Sequence, residues 1–247
     1  MSNRSRSRET PDATLRLTTS ESSLASEPTA HPSYMDEDIQ PVTLSNGATL
    51  TAEAENESVI TVRLLRDEHA TGEAIIPYPG HGLAGGHFIV SPSERFAVLS
   101  MFSGQSEEGY ELFRIDDSVS RVSGLPYQVG EVASFCFSGD ESLLVMALPS
   151  RCSEWWIPWE EGEAEPDGAG RQVFPFGEIR IEQIVTRASS VHELHVSVPD
   201  DWQPSRQEYD PDLNPHLTAH SLALSMPWGV VQLPLPLPPV ITLAVDR

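Results

Sequence analysis

The sequence contains no lysine. All 15 basic residues are arginines, and because they stand against 37 acidic residues the formal net charge is -22. Residues 1–34 contain four arginines and four acidic residues, so the whole imbalance belongs to residues 35–247. A surface of this sign repels nucleic-acid phosphates and anionic membranes. We therefore expect neither kind of partner, and we expect attraction to a basic protein surface instead.

Cysteine is nearly absent as well. Cys136 and Cys152 form neither a CxxC pair nor a zinc-binding pattern. They could form a disulfide if neighbouring strands held both, or they could remain reduced thiols in a cytosolic protein. The amino-terminal sequence MSNRSRSRETPDATLRL has no apolar segment of the kind that a signal peptide needs. This favours reduced thiols and predicts a cytoplasmic location.

The chain also lacks a long uninterrupted apolar run. The longest candidate extends from Gly229 to Val245, and it contains Gln232 and four prolines within its 17 residues. A membrane-spanning helix needs about 20 apolar residues, and internal prolines would break it. We expect no membrane-spanning segment here.

Residues 1–34 have the composition of a disordered tail. Serine and threonine occupy 13 of the 34 positions, and no aromatic residue occurs before Tyr34. Such a segment buries too little apolar surface to offset the entropy lost on ordering. The sequence therefore predicts a tail over residues 1–34 and a folded domain over residues 35–247.

The predicted domain consists of short alternating segments typical of strands. Asn46-Gly47 separates VTLS from ATLTA, which predicts a two-residue hairpin with a type I′ turn. Further strand patterns are VITVRLL, AIIPYP, YELFRI, EIRIEQIV, VHELHVSV, SLALSMPW and VITLAV. No comparable helical periodicity competes with them, so the fold class is all-β.

Two passages of the chain match each other at a separation of 47 residues. FIVSPSERFAVLSMF begins at Phe88 and FCFSGDESLLVMAL begins at Phe135. The matched positions are Phe88 with Phe135, Ser91 with Ser138, Val98 with Val145 and Leu99 with Met146. A repeat of this length indicates stacked sheet units, and clear units are predicted at about 86–130 and 131–176. In the second unit, WWIPW would supply the third strand.

The repeated pattern of an aromatic strand, a Ser-Pro or Gly-Asp turn and an apolar strand resembles the repeats of WD-type and related bacterial β-propellers. Neither copy contains the Trp-Asp pair that names the WD family. Phe113-Arg114 and Pro158-Trp159 stand near that place. The resemblance implies a propeller architecture and says nothing about chemistry, since propellers support unrelated functions.

Two patterns resemble ligand sites but lack a necessary part. Gly80, Gly82 and Gly85 satisfy GxGxxG, yet a strand follows them instead of the helix that a dinucleotide site requires. His192 and His195 are three residues apart, and on a strand they would point to opposite faces. We predict no catalytic residue, no cofactor and no metal site from either pattern.

The segment DPDLNPHLTAH begins like a calcium loop. Pro215 stands where such a loop needs glycine, and no glutamate stands at its end. The sequence leaves a metal-dependent hydrolase as the alternative function, and its site would be drawn from Asp200, Asp201, Asp210, Asp212, His216 and His220.

An acidic segment next to three tryptophans is the candidate partner-binding site. Trp155, Trp156 and Trp159 precede a run of carboxylates between positions 160 and 167 that is free of basic residues. The tryptophans could fill space between sheets, or one could anchor a partner that the carboxylates attract. The residues proposed for this contact are Trp155, Trp156, Trp159, Glu160, Glu161, Glu163 and Glu165.

Together these features predict an all-β, small or partial β-propeller of about four antiparallel sheet units behind a disordered tail. The units would form either a four-bladed ring or an incomplete arc that a partner or a second copy completes. The predicted function is a non-catalytic protein-binding or scaffolding module.

Overall fold

The computed structural model describes residues 13–16, 39–56, 59–77, 83–103, 107–129, 133–149, 165–166, 170–199, 213–226 and 228–245. All regular elements in this part of the chain are strands, and the strands form four sheets. Within the same residues, no helix is long and apolar enough to cross a membrane. The all-β prediction with about four sheet units is confirmed.

The first two sheets each contain four antiparallel strands in chain order. The first sheet consists of β2 (Val42–Thr43), β3 (Thr49–Asn56), β4 (Val59–Arg66) and β5 (His69–Pro77). The second sheet consists of β6 (Leu83–Val90), β7 (Phe96–Ser103), β8 (Glu107–Ile115) and β9 (Val119–Val129).

The third sheet is larger and the fourth is smaller. The third sheet contains β10 (Ser134–Phe137), β11 (Leu143–Pro149), β12 (Glu165–Pro166), β13 (Arg171–Gln183), β14 (Ser189–Pro199), β18 (Val240–Ala244) and β1 (Ala13–Arg16). The fourth sheet contains β15 (Asn214–Leu217), β16 (Ser221–Met226) and β17 (Gly229–Pro234).

The first two strands of each 47-residue repeat form equivalent hairpins. Phe88 pairs with Leu99 in the β6–β7 hairpin, and the matched residues Phe135 and Met146 pair in the β10–β11 hairpin. The hydroxyls of Ser91 and Ser138 also have one role, since each accepts a hydrogen bond from the backbone N–H five residues later, at 3.1 and 2.9 Å. The 47-residue spacing of the matched residues therefore reflects two equivalent hairpins.

Three apolar cores join successive sheets. One contains Leu50, Ile60 and Leu99 between the first and second sheets, and another contains Val98 and Met146 between the second and third. The third lies between the third and fourth sheets and includes Val145, Ile179, Leu194, Leu222 and Leu224. No core among the described residues joins the first sheet to the fourth. The three cores therefore join the four sheets in chain order.

The Asn46-Gly47 hairpin differs from the predicted type I′ turn. Only Gly47 has a positive φ, at 83°, and the Gly47 N–H donates to the Leu44 carbonyl at 2.9 Å. Leu44 and Ala48 close the loop, so three residues connect the strands. This is a type I turn followed by a left-handed glycine. The local pattern identified the hairpin correctly and its turn type wrongly.

The third sheet also differs from the predicted repeat unit. The strand next to β11 is β13, with Val145 opposite Ile181, and β11 lies between β10 and β13. WWIPW is therefore not the neighbour of β11. Those residues lie outside the described part of the chain. The alternating Ile and Glu/Arg residues of EIRIEQ fit β13, because one face of that strand enters the core.

Both ends of the chain join the third sheet. β18 pairs in parallel with β14, and β1 pairs in parallel with β18, with Ala13 opposite Ile241. Ala13–Arg16 thus forms a strand inside the segment predicted to be a disordered tail. A short alternating segment can pair here because the outer edge of β18 presents unpaired backbone groups. The rest of residues 1–34 lies outside the described part.

Candidate interaction surfaces

Two glutamates connect the first hairpin of one sheet to that of the preceding sheet. Glu94 accepts hydrogen bonds from the Ser45 N–H at 2.9 Å and from its hydroxyl at 2.6 Å. Glu141 accepts the same pair from Ser93, at 2.6 and 2.5 Å, and Arg95 lies 3.1 Å from its carboxylate. We call these two connections the glutamate clasps. They join the first three sheets at equivalent turns.

The clasps hold the backbone in a conformation that non-glycine residues rarely adopt. Glu94 has φ of 59° and Glu141 has φ of 56°. A left-handed residue of this kind costs on the order of 1–3 kcal/mol and persists only when its surroundings fix it. The two hydrogen bonds that each carboxylate receives from the neighbouring turn supply that constraint. In the sequence both glutamates stand in short polar turns, and they are 47 positions apart like the other matched residues.

The clasp lowers the pKa of the Glu141 carboxyl. Burial acts to raise this pKa, but hydrogen bonds from Ser93 and Ser91 and contact with Arg95 outweigh it. Next to it, hydrogen bonds from Ser138 and Ser142 lower the pKa of Asp140 to about 2. Both groups are therefore ionised at neutral pH, and both serve turn structure.

The other buried carboxylates in the described residues also have arginine partners. Glu111 receives two hydrogen bonds from Arg121, at 2.6 and 2.8 Å, and burial still raises the pKa of Glu111. Arg187 donates to Glu182 at 2.8 Å and to the Val122 carbonyl. This second contact links the third sheet to the second. The Glu111 ion pair thus lies within the second sheet, and the Glu182 ion pair lies within the third.

Cys136 is a free thiol packed against the third core. Burial raises the pKa of its thiol to about 12. A thiol with so little thiolate at neutral pH is chemically inert. Cys152, the other thiol, lies outside the described residues.

The predicted partner site falls almost entirely outside the described residues. Of its members only Glu165 is described, in β12, where its backbone pairs with Val173 of β13. The predicted partner site therefore stays a prediction. Residues outside the description are Trp155, Trp156, Trp159, Glu160, Glu161 and Glu163.

The residues of the alternative hydrolase site are divided in a similar way. His216 is exposed on β15 and His220 is exposed in the turn that follows it. The four aspartates 200, 201, 210 and 212 lie outside the described residues.

His192, one of the two histidines three residues apart, is buried. Its ring lies 2.8 Å from the Pro238 carbonyl and 2.8 Å from the Ser190 hydroxyl. In the part of the chain that the structure describes, no three His, Cys, Asp or Glu residues form a metal-binding group.

The outer face of the fourth sheet carries no charged side chain among the described residues. Leu222, Leu224 and Leu233 point into the core, so the alternate positions face outward. These are Asn214, His216, Ser221, Ala223, Ser225, Val230 and Gln232. By contrast, the outer face of the first sheet carries Arg63 between Glu53 and Glu73, at 2.9 and 2.7 Å.

Comparisons with known proteins give only distant likenesses. No protein-family model and no curated protein matches the chain. One similar solved structure is the WD40 domain of SCAP from fission yeast, with a TM-score of 0.28 and 11% identity over 76% of this chain. The chain spans 57% of the length of that structure. Another is the uncharacterized protein lmo1340 from Listeria monocytogenes EGD-e, with a TM-score of 0.31, 10% identity and coverage of 96% of this chain and 80% of the other.

Proposed function

We propose that this chain is a non-catalytic module that binds a protein with a basic surface. The observation that carries the proposal is how the carboxylates are divided. Among the described residues the buried ones are Glu111, Glu141 and Glu182, and each is bound to arginine or serine partners that hold strands or sheets together. The net charge of -22 therefore resides on carboxylates outside these structural contacts. A field of this size accelerates encounter with a cationic partner.

The contact within this proposal is the acidic segment beside the tryptophans. Glu160, Glu161, Glu163 and Glu165 would steer the partner, and one of the three preceding tryptophans would supply a buried anchor. Exposed charges of this kind act mainly on the association rate, and salt weakens them because the Debye length is about 10 Å at 0.1 M.

The test replaces these four glutamates with glutamine and measures association with a partner captured from the native host, at low and physiological salt. Slower association and a weaker salt dependence are expected. A matched control replaces Asp67 and Asp117 with asparagine and Glu68 and Glu193 with glutamine, which changes the net charge equally from other exposed sites. Equal slowing in both quadruple variants would leave only a general charge effect. Unchanged rates at both salts would place the contact elsewhere.

A further inference from the structure

At one edge of the third sheet, β18 is held by many more contacts than the edge strand β1. β18 is fixed in the core, since Ile241 and Leu243 are buried there and β14 pairs with it along one side. The Arg171 guanidinium fastens the same end by donating to the Ser197 carbonyl at 2.6 Å and the Val245 carbonyl at 2.9 Å. None of these contacts involves β1. The edge of β18 is therefore held in place without β1.

β1 is attached to this edge far more weakly. It contributes four residues, Ala13–Arg16, and in the described part of the chain it pairs with no strand except β18. The 25 residues from 17 to 41 separate it from the start of the first sheet. A four-residue edge strand on this connection can leave without disturbing a core.

We propose that the edge of β18 is a binding site for an extended, arginine-bearing segment of a partner protein, and that β1 is its resident occupant. The mode is addition of a parallel strand, in which backbone hydrogen bonds supply affinity with little dependence on sequence. This inference rests on the proposed protein-binding function and identifies a second contact for the same basic partner.

The charge of the partner follows from the division of charge within the chain. The folded part carries the entire excess of -22, whereas residues 1–34 are neutral, with four arginines and four acidic residues. Within β1 itself, the single charged residue is Arg16. A partner strand that also carries arginines would be drawn to the same edge, and an acidic strand would be repelled.

The resident strand makes the site self-competing. Because β1 belongs to the same chain, it is present at the edge at an effective concentration that an external strand has to overcome. An external strand must displace it, so the affinity of the full chain for such a strand is lower than that of a chain without β1. Occupancy by β1 also covers the backbone groups of β18, which would otherwise pair with other chains.

The test uses a fluorescent peptide of residues 4–18, RSRSRETPDATLRLT, and measures anisotropy with the full chain and with a chain that starts at Met35. Saturable binding to the shorter chain is expected, with about sixfold weaker binding to the full chain, in which β1 competes. One control peptide carries Thr14→Pro and Leu15→Pro. Adjacent N–H groups on a strand point in opposite directions, so one of the two prolines removes a donor that faces β18. A second control is a scrambled peptide of equal charge.

Both controls are expected to lose binding. If the chain that starts at Met35 proves unfolded by circular dichroism, the full chain with Thr14→Pro and Leu15→Pro replaces it, because this variant empties the edge with the tail in place. Equal binding of the scrambled peptide would reduce the effect to charge, and no binding up to about 1 mM by a chain with an empty edge would overturn the proposal. Either result leaves the test of the acidic segment unaffected.

Discussion

Single residues decide how this stack of sheets is joined. Glu94 and Glu141 each bind the N–H and hydroxyl of a serine in the preceding sheet, and each has a positive φ. The match of Ser91 with Ser138 is visible in the sequence. The glutamate clasps, whose donors are Ser45 and Ser93, could not be predicted from it. A glutamate in a polar turn has the appearance of a solvated residue, and its partner lies 48 or 49 residues away. Only the packing of one sheet on the next brings donor and acceptor together.

Replacing the second clasp residue should cost stability in a pH-dependent way. For Glu141→Gln we expect a loss of about 1–3 kcal/mol in the free energy of unfolding at pH 7, since charged hydrogen bonds in a buried turn are lost. The folded-state pKa of Glu141 is lowered, so its ionised contacts stabilise the protein above the unfolded pKa near 4.5 and lose effect as the pH falls through the folded value. The difference from the unmodified protein should therefore shrink at pH 3, as measured by urea unfolding.

The fully exposed Asp117 provides the control, because Asp117→Asn removes a charge without a buried partner. It should leave the free energy of unfolding nearly unchanged at both pH values. A loss in Glu141→Gln that stays constant from pH 7 to pH 3 would mean that the ionised clasp does not contribute.

At the scale of elements, local pattern predicted the hairpins and failed for distant pairings. The registers of β6–β7 and β10–β11 follow from matched residues such as Phe88 and Phe135. The β11–β13 pairing spans residues 150–170, and nothing in the alternation of β11 shows that its partner lies beyond that insertion. The parallel approach of β18 to β14 was missed for the same reason. Such contacts depend on the packing of the whole chain.

Equivalent strand positions should have equivalent sensitivity. Val98 and Val145 are buried in successive cores, each facing the next sheet. We expect Val98→Asp and Val145→Asp each to lower the free energy of unfolding by about 3 kcal/mol or more, because each buries an unpaired charge. The matched control is Val185→Asp, since Val185 is 86% exposed. It should change stability by about 0.5 kcal/mol or less in chemical unfolding. Similar curves for Val98→Asp and the control would contradict the equivalence of the repeats.

At the scale of the whole molecule, the four sheets are joined in sequence by three cores, and the chain ends meet at the third sheet. The number of units was predictable from the 47-residue repeat and the length of the folded part. The meeting of β1 and β18 was not, because residues 1–34 have the composition of a solvated tail. Four alternating residues suffice for a strand when an edge with free backbone groups receives them.

The contribution of this tail to stability should be small and confined to β1. A chain that starts at Met35 should fold, because among the described residues the buried positions of the three cores all lie at Ile39 or beyond. Loss of a four-residue edge strand should cost about 1 kcal/mol, which for a domain of this size lowers the melting temperature by about 2–4 °C. The full chain with Thr14→Pro and Leu15→Pro should show the same decrease in a thermal scan, since it keeps the tail and loses only the pairing. A decrease of more than 10 °C on truncation, with little effect of the prolines, would mean that other tail residues pack on the sheets.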